Sequence, residues 1–165
     1  MLVVQSGHLK AIADNAEAAY PREACGLLVG RQLPGDHRVV ARVERAENVA
    51  ADPRKTFEVD PGLRIGLERE LRGQALAVIG HYHSHPDGPA RPSAHDLEMA
   101  LEPDLAWLIV AVGQGQASHL RAYLPRLDRQ GFRVLPIVER TEAGRPNEQQ
   151  GRQLSAKPTK AGGWR

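Results

Sequence analysis

The sequence has 165 residues, of which 41% are hydrophobic and 25% are charged, and its formal net charge is +2. These values are typical of one soluble globular domain, and the small charge gives no reason to expect nucleic acid as a partner. The sequence has no apolar run near the ~18 residues of a membrane span, no secretory signal, and one cysteine, Cys25, which cannot form an internal disulfide. We therefore expect a cytoplasmic protein that binds neither nucleic acid nor a membrane.

Hydrophobic periodicity and turn residues divide the chain into helices and strands. In chain order we predict a helix that begins at Ser6 and is ended by Pro21, strands over 25–30 and 39–43, a helix over 61–72, a strand over 75–80, a loop over 86–92, a helix over 93–101, and strands over 105–112, 118–124 and 132–138. Ser6 is a candidate N-cap, and Asp60 before Pro61 combines an N-cap with proline at the first helical position. The apolar runs 75–80 and 105–112 predict central strands covered on both faces.

The last part of the sequence differs in composition from the rest. From residue 140 to residue 165 it is polar and basic, with almost no apolar periodicity. A segment of this kind cannot bury enough apolar surface to form a core. We therefore predict one domain over 1–139, followed by a basic, disordered tail over 140–165.

Three histidines in five residues follow the first of the two apolar runs. In His81-Tyr-His-Ser-His-Pro86, strand alternation places His81, His83 and His85 on one face. The Cα atoms of the outer two would lie roughly 13 Å apart at ~3.3 Å per residue, whereas zinc holds a histidine nitrogen at about 2.0–2.1 Å. Adjacent histidines can therefore share one metal ion but the outer pair cannot, so one of the three lies outside the ligand set.

A carboxylate is the natural further ligand, and Asp96 is the nearest acidic candidate, one turn into the next predicted helix. Two histidines and one carboxylate, with the fourth position left to water, are typical of a catalytic zinc site. We predict that His83, His85 and Asp96 bind one Zn²⁺ per chain, and we interpret His81 as a packing neighbour of the site. Ser93 and Asp96 also match the Ser-x-x-Asp pattern of a helix capping box, and this interpretation is compatible with the metal-binding role.

The motif resembles a known signature. His-Ser-His-Pro, followed by Ser-x-x-Asp with ten residues between His85 and Asp96, is similar to the signature of the JAMM (MPN+) metallopeptidases. The family signature also has an upstream glutamate, and Glu23 occupies the matching position within Pro21-Arg-Glu-Ala-Cys-Gly-Leu-Leu-Val-Gly30. The resemblance extends over about residues 5–125 and is nearest to the small bacterial members. It implies an α/β (α+β) fold in which helices flank a mixed sheet, as in the cytidine-deaminase-like JAMM fold.

The resemblance also implies roles for individual residues. His83, His85 and Asp96 would bind Zn²⁺, Glu23 would be the general base that deprotonates the zinc-activated water, and Ser93 would stabilise the oxyanion. The implied activity is that of a peptidase or isopeptidase that cuts after the C-terminal Gly-Gly of a ubiquitin-like sulfur carrier protein, or of its C-terminal peptide. Without the resemblance, Glu23 would be interpreted as a solvated charge.

Three other interpretations remain to be weighed against this one. A non-catalytic MPN scaffold is the main alternative, although this chain keeps all the metal-binding positions. A related zinc deaminase would carry His-x-Glu with Pro-Cys-x-x-Cys, and the sequence lacks this signature. The Gly-Gly-Trp-Arg segment at 162–165 resembles a trimmed substrate end, so self-processing is a further hypothesis beside that of a plain flexible tail.

Overall fold

A mixed β-sheet runs through the centre of the molecule. The computed structural model describes residues 1–141 and the backbone of residues 146–149 and 152–153. Its strands are β1 (Leu2–Gln5), β2 (Cys25–Leu33), β3 (His37–Ala46), β4 (Ala77–Pro86), β5 (Ala106–Gly113), β6 (Gln116–Pro125), β7 (Phe132–Leu135), β8 (Ile137–Arg140), β9 (Pro146–Gln149) and β10 (Arg152–Gln153), and its helices are α1 (Ser6–Ala19), α2 (Pro61–Glu70) and α3 (Ala94–Met99).

The strands are ordered β10-β6-β5-β4-β2-β3-β1-β8-β9, and β7 pairs with β6 beside this path. β4 is parallel to β5, and β1 is parallel to both β3 and β8. The other pairs are antiparallel. The expected fold, a mixed sheet flanked by helices, is confirmed.

Two apolar layers cover opposite faces of the sheet. On one face, α1 buries the predicted residues Leu9, Ile12, Ala13 and Ala16 against the even-numbered residues of β5: Leu108, Val110 and Val112. On the other face, the odd-numbered residues Trp107, Ile109 and Ala111 pack with Ala90, Ala100 and Tyr123. This alternation confirms that β5 is a central strand covered on both faces. Within the described residues, no helix has the length and apolar character needed to cross a bilayer.

The strand that carries the histidines is longer than the sequence predicts. β4 does not end at Gly80 but continues to Pro86, because β2 pairs with it on one side and β5 on the other. A side chain at Gly80 would overlap the backbone carbonyl oxygen of Ala106, so glycine is required where β4 approaches β5. All three histidines therefore lie within a paired strand rather than after its end.

Other boundaries also differ from the prediction. Gln5 occupies the N-cap position of α1, and the Ser6 hydroxyl instead donates a hydrogen bond to the Arg140 carbonyl, with an O···O distance of 3.2 Å. The four-residue strand β1 was not predicted, because so short an element has no measurable periodicity. The strand predicted over 132–138 is divided at Pro136, which has no N–H to continue a ladder. Before the proline, β7 pairs with β6; after it, β8 pairs with β1.

Most of the predicted tail lies outside the described residues. The backbone of β9 pairs with β8, and that of β10 pairs with β6. The Gly-Gly-Trp-Arg segment and the remaining tail residues are not described. The domain boundary at 139 and the disorder of the tail therefore stay predictions.

Candidate metal centre

Three side chains converge at the C-terminal end of β4. The Nε2 atoms of His83 and His85 lie 3.0 Å apart. Asp96, at the start of α3, places Oδ1 3.3 Å from His83 Nε2 and Oδ2 3.3 Å from His85 Nε2. All the candidate ligand atoms fall within 4.8 Å of one another, so the structure brings together the three residues that the sequence predicts as metal ligands.

The loop after β4 orients His85. Its Nδ1 lies 3.0 Å from the carbonyl oxygen of Pro89. Because a carbonyl oxygen can only accept, Nδ1 must carry the hydrogen, which leaves the lone pair of the neutral ring on Nε2, facing the cluster. A metal-binding histidine commonly has this arrangement, with one nitrogen fixed by a backbone carbonyl and the other free to bind.

Packing against Phe57 orients the ring of His83. Its ring is fully buried and stacks on Phe57 with centroids 4.3 Å apart and an interplanar angle of 14°. Its Nδ1 is buried without a hydrogen-bond partner among the described residues. The stacked ring therefore directs Nε2 towards His85 and Asp96.

The start of α3 holds Asp96 in place through the capping box that the sequence predicts. The Ser93 N–H donates to Asp96 Oδ2 at 2.6 Å, and the Asp96 N–H donates to Ser93 Oγ at 3.1 Å. Asp96 is 3% exposed and its carboxylate still faces both histidines, so capping and ligand geometry coexist. Because Ser93 Oγ accepts the backbone hydrogen, its own hydroxyl hydrogen remains available for donation.

The charges of the cluster suit a divalent cation. Burial disfavours ionisation of Asp96, but hydrogen bonds from His83 and from the protonated form of His85 outweigh it and hold the pKa of the carboxyl well below its usual range. Burial lowers the pKa of His83; for His85 burial acts in the same direction, but the Asp96 carboxylate outweighs it and raises the pKa. One carboxylate and two imidazoles are a donor set that fits Zn²⁺.

Strand register explains how Glu23 comes near these ligands. In the β2–β4 pair, Cys25 lies opposite His83. Continuing the register by two residues places Glu23 opposite His85 and on the same face of the sheet. Sequence reasoning from the residues alone gave no sign of this position, because the pairing joins segments about 60 residues apart in the chain.

Two buried hydrogen bonds fix the segment that carries Glu23. The N–H of Ser84 donates to the Ala24 carbonyl at 3.0 Å, and the N–H of Ala24 donates to Ser84 Oγ at 2.8 Å. The Asn48 amide also donates to the Glu23 carbonyl, with an N···O distance of 3.0 Å. The serine between the two candidate metal-binding histidines therefore links β4 to the backbone beside Glu23, a role that the sequence alone did not indicate.

Glu23 is poised between its charged and neutral forms. Its side chain is buried, and burial raises the pKa of the carboxyl to about 7, with a further upward contribution from the Asp96 charge and a downward one from His85. A carboxyl group with this pKa can both take and release a proton near neutral pH.

His81 and Cys25 lie beside the candidate ligands but outside their cluster. The His81 ring packs edge-on against Trp107 at 4.2 Å between centroids, and burial lowers its pKa to about 3. Burial raises the pKa of the Cys25 thiol to about 12, so this thiol is neutral. His81 therefore packs with Phe57 and Trp107 around the centre, and this aromatic lining was not visible in the sequence because its members are far apart in the chain.

Two pockets flank the centre. A pocket of about 270 Å³ is mostly apolar and lies against Phe57, His81 and Trp107, with Met99 and Leu101 among its walls. A second pocket of about 300 Å³ lies between the loop after β4 and strand β6. One pocket therefore lies against the aromatic residues beside the centre, and the other lies against the loop that carries Pro89.

Comparison with known proteins places these features in a family. The profile described as "Prokaryotic homologs of the JAB domain" matches residues 5–124. The chain is 34% identical to a desampylase from Haloferax volcanii over 106 residues, 64% of this chain and 74% of the relative. It is 27% identical to a CysO-cysteine peptidase from Mycobacterium tuberculosis over 126 residues, 74% of this chain and 82% of the relative. A solution structure of a protein from Desulfitobacterium hafniense aligns with a TM-score of 0.74 at 32% identity, covering 86% of this chain and 94% of that one.

Replacing Ser84 by alanine tests the link between β4 and the Glu23 segment. The buried Ala24 N–H would lose its acceptor, so we expect Ser84→Ala to lower the free energy of unfolding by about 1–3 kcal/mol. Chemical denaturation measures this loss. The control is Ser6→Ala, which removes an exposed hydroxyl bond and should cost less than about 1 kcal/mol; equal losses in the two variants would contradict the assignment.

The raised pKa of Glu23 predicts a pH-dependent stability in the metal-free protein. The folded state holds this proton more tightly than the unfolded chain, so the stabilisation is present below the unfolded value of 4.5 and is lost as the pH rises through about 7. Glutamine cannot ionise, so metal-free Glu23→Gln should melt at a higher temperature than the unsubstituted protein at about pH 8.5. The difference should be several-fold smaller at about pH 5, just above the unfolded value.

Thermal denaturation in chelator measures this difference. The exposed Glu98 provides the control, since Glu98→Gln should show no such pH-dependent difference in melting temperature. A melting-temperature difference for Glu23→Gln that is the same at both pH values would show that Glu23 is not held in a raised-pKa site.

Proposed function

The chain belongs to the family of prokaryotic homologues of the JAB domain, and on this premise we propose that it is a zinc-dependent peptidase. Its proposed substrate is a conjugate of a ubiquitin-like sulfur carrier protein, cut after the C-terminal Gly-Gly of the carrier. The observation that carries the proposal is the convergence of His83, His85 and Asp96 beside the buried carboxyl of Glu23. The names of two relatives, a desampylase and a CysO-cysteine peptidase, support hydrolysis of such conjugates.

The three convergent residues would hold the zinc. His83 and His85 would bind through Nε2 and Asp96 through its carboxylate, and the loop carbonyl and capping box already orient these atoms. When bound, zinc supplies a Lewis acid that lowers the pKa of water towards ~7 and polarises a carbonyl oxygen. The ligand set leaves room in a tetrahedral shell for one more group, as catalytic zinc sites do.

Glu23 would move the proton during hydrolysis. Its carboxylate takes a proton from the attacking water, whose oxygen forms a bond to the carbonyl carbon of the last glycine. The C–N bond then breaks, and Glu23 returns the proton to the leaving amine. A carboxyl pKa of about 7 suits both steps near neutral pH, since proton transfer is most effective when the pKa is close to the working pH.

Ser93 would donate its hydroxyl hydrogen to the oxyanion that develops on the scissile carbonyl. Its Oγ is already placed by the Asp96 N–H, so little side-chain freedom is lost when the substrate binds. A positioned donor of this kind can contribute ~3 kcal/mol to catalysis. The same residue thus supports Asp96 through the capping box and acts on the substrate through its hydrogen.

A non-catalytic MPN scaffold is the alternative, and the structure offers no observation that favours it. The candidate ligands converge, and burial gives Glu23 the pKa that a base requires. Cytoplasmic location and the absence of nucleic-acid and membrane partners stay predictions from the sequence.

Replacing Glu23 by glutamine separates proton transfer from zinc binding. We expect the unsubstituted protein to bind about one zinc per chain and to cleave a Gly-Gly-extended carrier from the same genome. Glu23→Gln should keep the zinc and lose at least about 100-fold in kcat, the usual contribution of a general base. Elemental analysis and mass spectrometry of the products measure the two quantities.

The same measurements on Glu98→Gln control for the loss of a carboxylate elsewhere. Full activity in Glu23→Gln would overturn the role of Glu23. A protein that binds no zinc and cleaves no candidate carrier would favour the scaffold alternative.

Ser93→Ala tests the oxyanion role apart from the capping role. Loss of the cap should cost about 1 kcal/mol of stability, and loss of the donor should reduce kcat by about 10²–10³. Ser93→Thr keeps both the cap acceptor and the hydroxyl and should restore both properties. The assay is run well below the melting temperature of the variant. If Ser93→Ala is less stable but has an unchanged kcat under this condition, Ser93 is only a cap.

A further inference from the structure

The pocket beside β6 is basic. Its walls include Pro89, Ala90, Arg91, Ala111, His119 and Arg121, and it has a volume of about 300 Å³. No acidic residue is among the described residues that line it. It therefore differs from the pocket on the other side of the metal centre, which is mainly apolar.

The strand register places this basic pocket next to the candidate ligands. His85 pairs with Ala111, and Ala111 pairs with His119 on the next strand. Neighbouring strands are about 4.8 Å apart, so the backbone of His119 lies roughly 10 Å from that of His85 on the same face of the sheet. Pro89, whose carbonyl receives the His85 hydrogen bond, forms part of the pocket wall.

The two guanidinium groups of the pocket are available to a ligand. Within the described part of the chain, neither Arg91 nor Arg121 makes an ion pair or a side-chain hydrogen bond. By contrast, Arg64 at the apolar pocket is engaged by Glu102 through two bonds of 2.6 Å. Arginine forms its strongest hydrogen bonds with planar anions such as carboxylates, often with two parallel bonds. The basic pocket thus provides two guanidinium groups that can bind a carboxylate beside the proposed hydrolytic centre.

We propose that this pocket binds the α-carboxylate of a single amino acid that leaves when the bond after Gly-Gly is cut. The proposal rests on the peptidase function proposed above. In such a substrate the carboxylate carbon lies only two bonds, roughly 2.5 Å, from the scissile nitrogen. In an isopeptide the scissile nitrogen is instead carried by the four methylenes of a lysine side chain, with no carboxylate nearby. Arg91 and Arg121 therefore select a free C-terminal residue over a lysine conjugate.

The test compares two semisynthetic carriers that differ only at the C-terminus. Both end in Gly-Gly-Ala, one as the free carboxylate and the other as the carboxamide, and the zinc-loaded full-length chain cleaves each under the same conditions. We expect kcat/KM to be about tenfold higher for the carboxylate, which corresponds to ~1.4 kcal/mol for a charge-assisted hydrogen bond. Arg91→Ala and Arg121→Ala should reduce this ratio towards one, mainly by lowering kcat/KM for the carboxylate.

A matched variant controls for the loss of a surface charge. Arg72 is exposed, lies just after α2, and lines neither pocket, so Arg72→Ala should keep the tenfold preference. Zinc content and melting temperature should be the same in all three variants. Equal kcat/KM for the two carriers in the unsubstituted protein would overturn the carboxylate pocket, as would a parallel loss on both carriers in the arginine variants.

A binding measurement separates failure of the pocket from failure of the peptidase function. Calorimetry with the zinc-loaded Glu23→Gln chain measures the dissociation constants of both carriers without turnover. If the unsubstituted protein cleaves neither carrier, the peptidase proposal fails. A preference for binding the carboxylate that Arg91→Ala and Arg121→Ala remove would still support the pocket, and equal binding would overturn it.

Discussion

The pairing of β2 with β4 is the constraint on which the metal centre depends. Cys25 lies opposite His83, and the two bonds between Ser84 and Ala24 extend this register towards the site. A slip of one residue would turn every side chain of a strand to the other face, and Glu23 would then point away from the histidines. The serine between His83 and His85 faces the opposite side of the sheet, where its hydroxyl holds the register away from the candidate ligands.

The two carboxyl groups of the site differ because their surroundings differ. Both are buried, which by itself favours the neutral form. Without a metal, Asp96 receives hydrogen bonds from His83, from the protonated form of His85 and from the Ser93 N–H, and these outweigh burial, so it remains an anion suited to hold a cation. For Glu23 burial dominates, and the carboxyl exchanges its proton near pH 7. One acid is therefore suited to bind and the other to transfer protons.

The features that the sequence predicted depend on residues close together in the chain. The features that it missed arise from contacts between segments that are distant in the chain. Hydrophobic periodicity, capping residues and turn residues located the three helices of the described part of the chain and most of its strands, and the spacing within one strand and one helical turn identified His83, His85 and Asp96 as a group. The stacking of Phe57 and the edge contact of Trp107 depend on segments that are distant in the chain. Glu23 was found only through the family resemblance, and the profile match confirms the family.

The two pockets beside the candidate metal centre differ in charge, and this difference bears on how a substrate would be oriented. At the apolar pocket the positive charge of Arg64 is neutralised by Glu102, whereas at the basic pocket Arg91 and Arg121 have no such partner within the described residues. If a leaving residue with a free carboxylate binds on the basic side, as proposed above, the Gly-Gly segment would approach from the apolar side, past Met99 and Leu101. The distribution of paired and unpaired arginines thus gives the two pockets different chemistry, and the proposed carboxylate pocket rests on that difference.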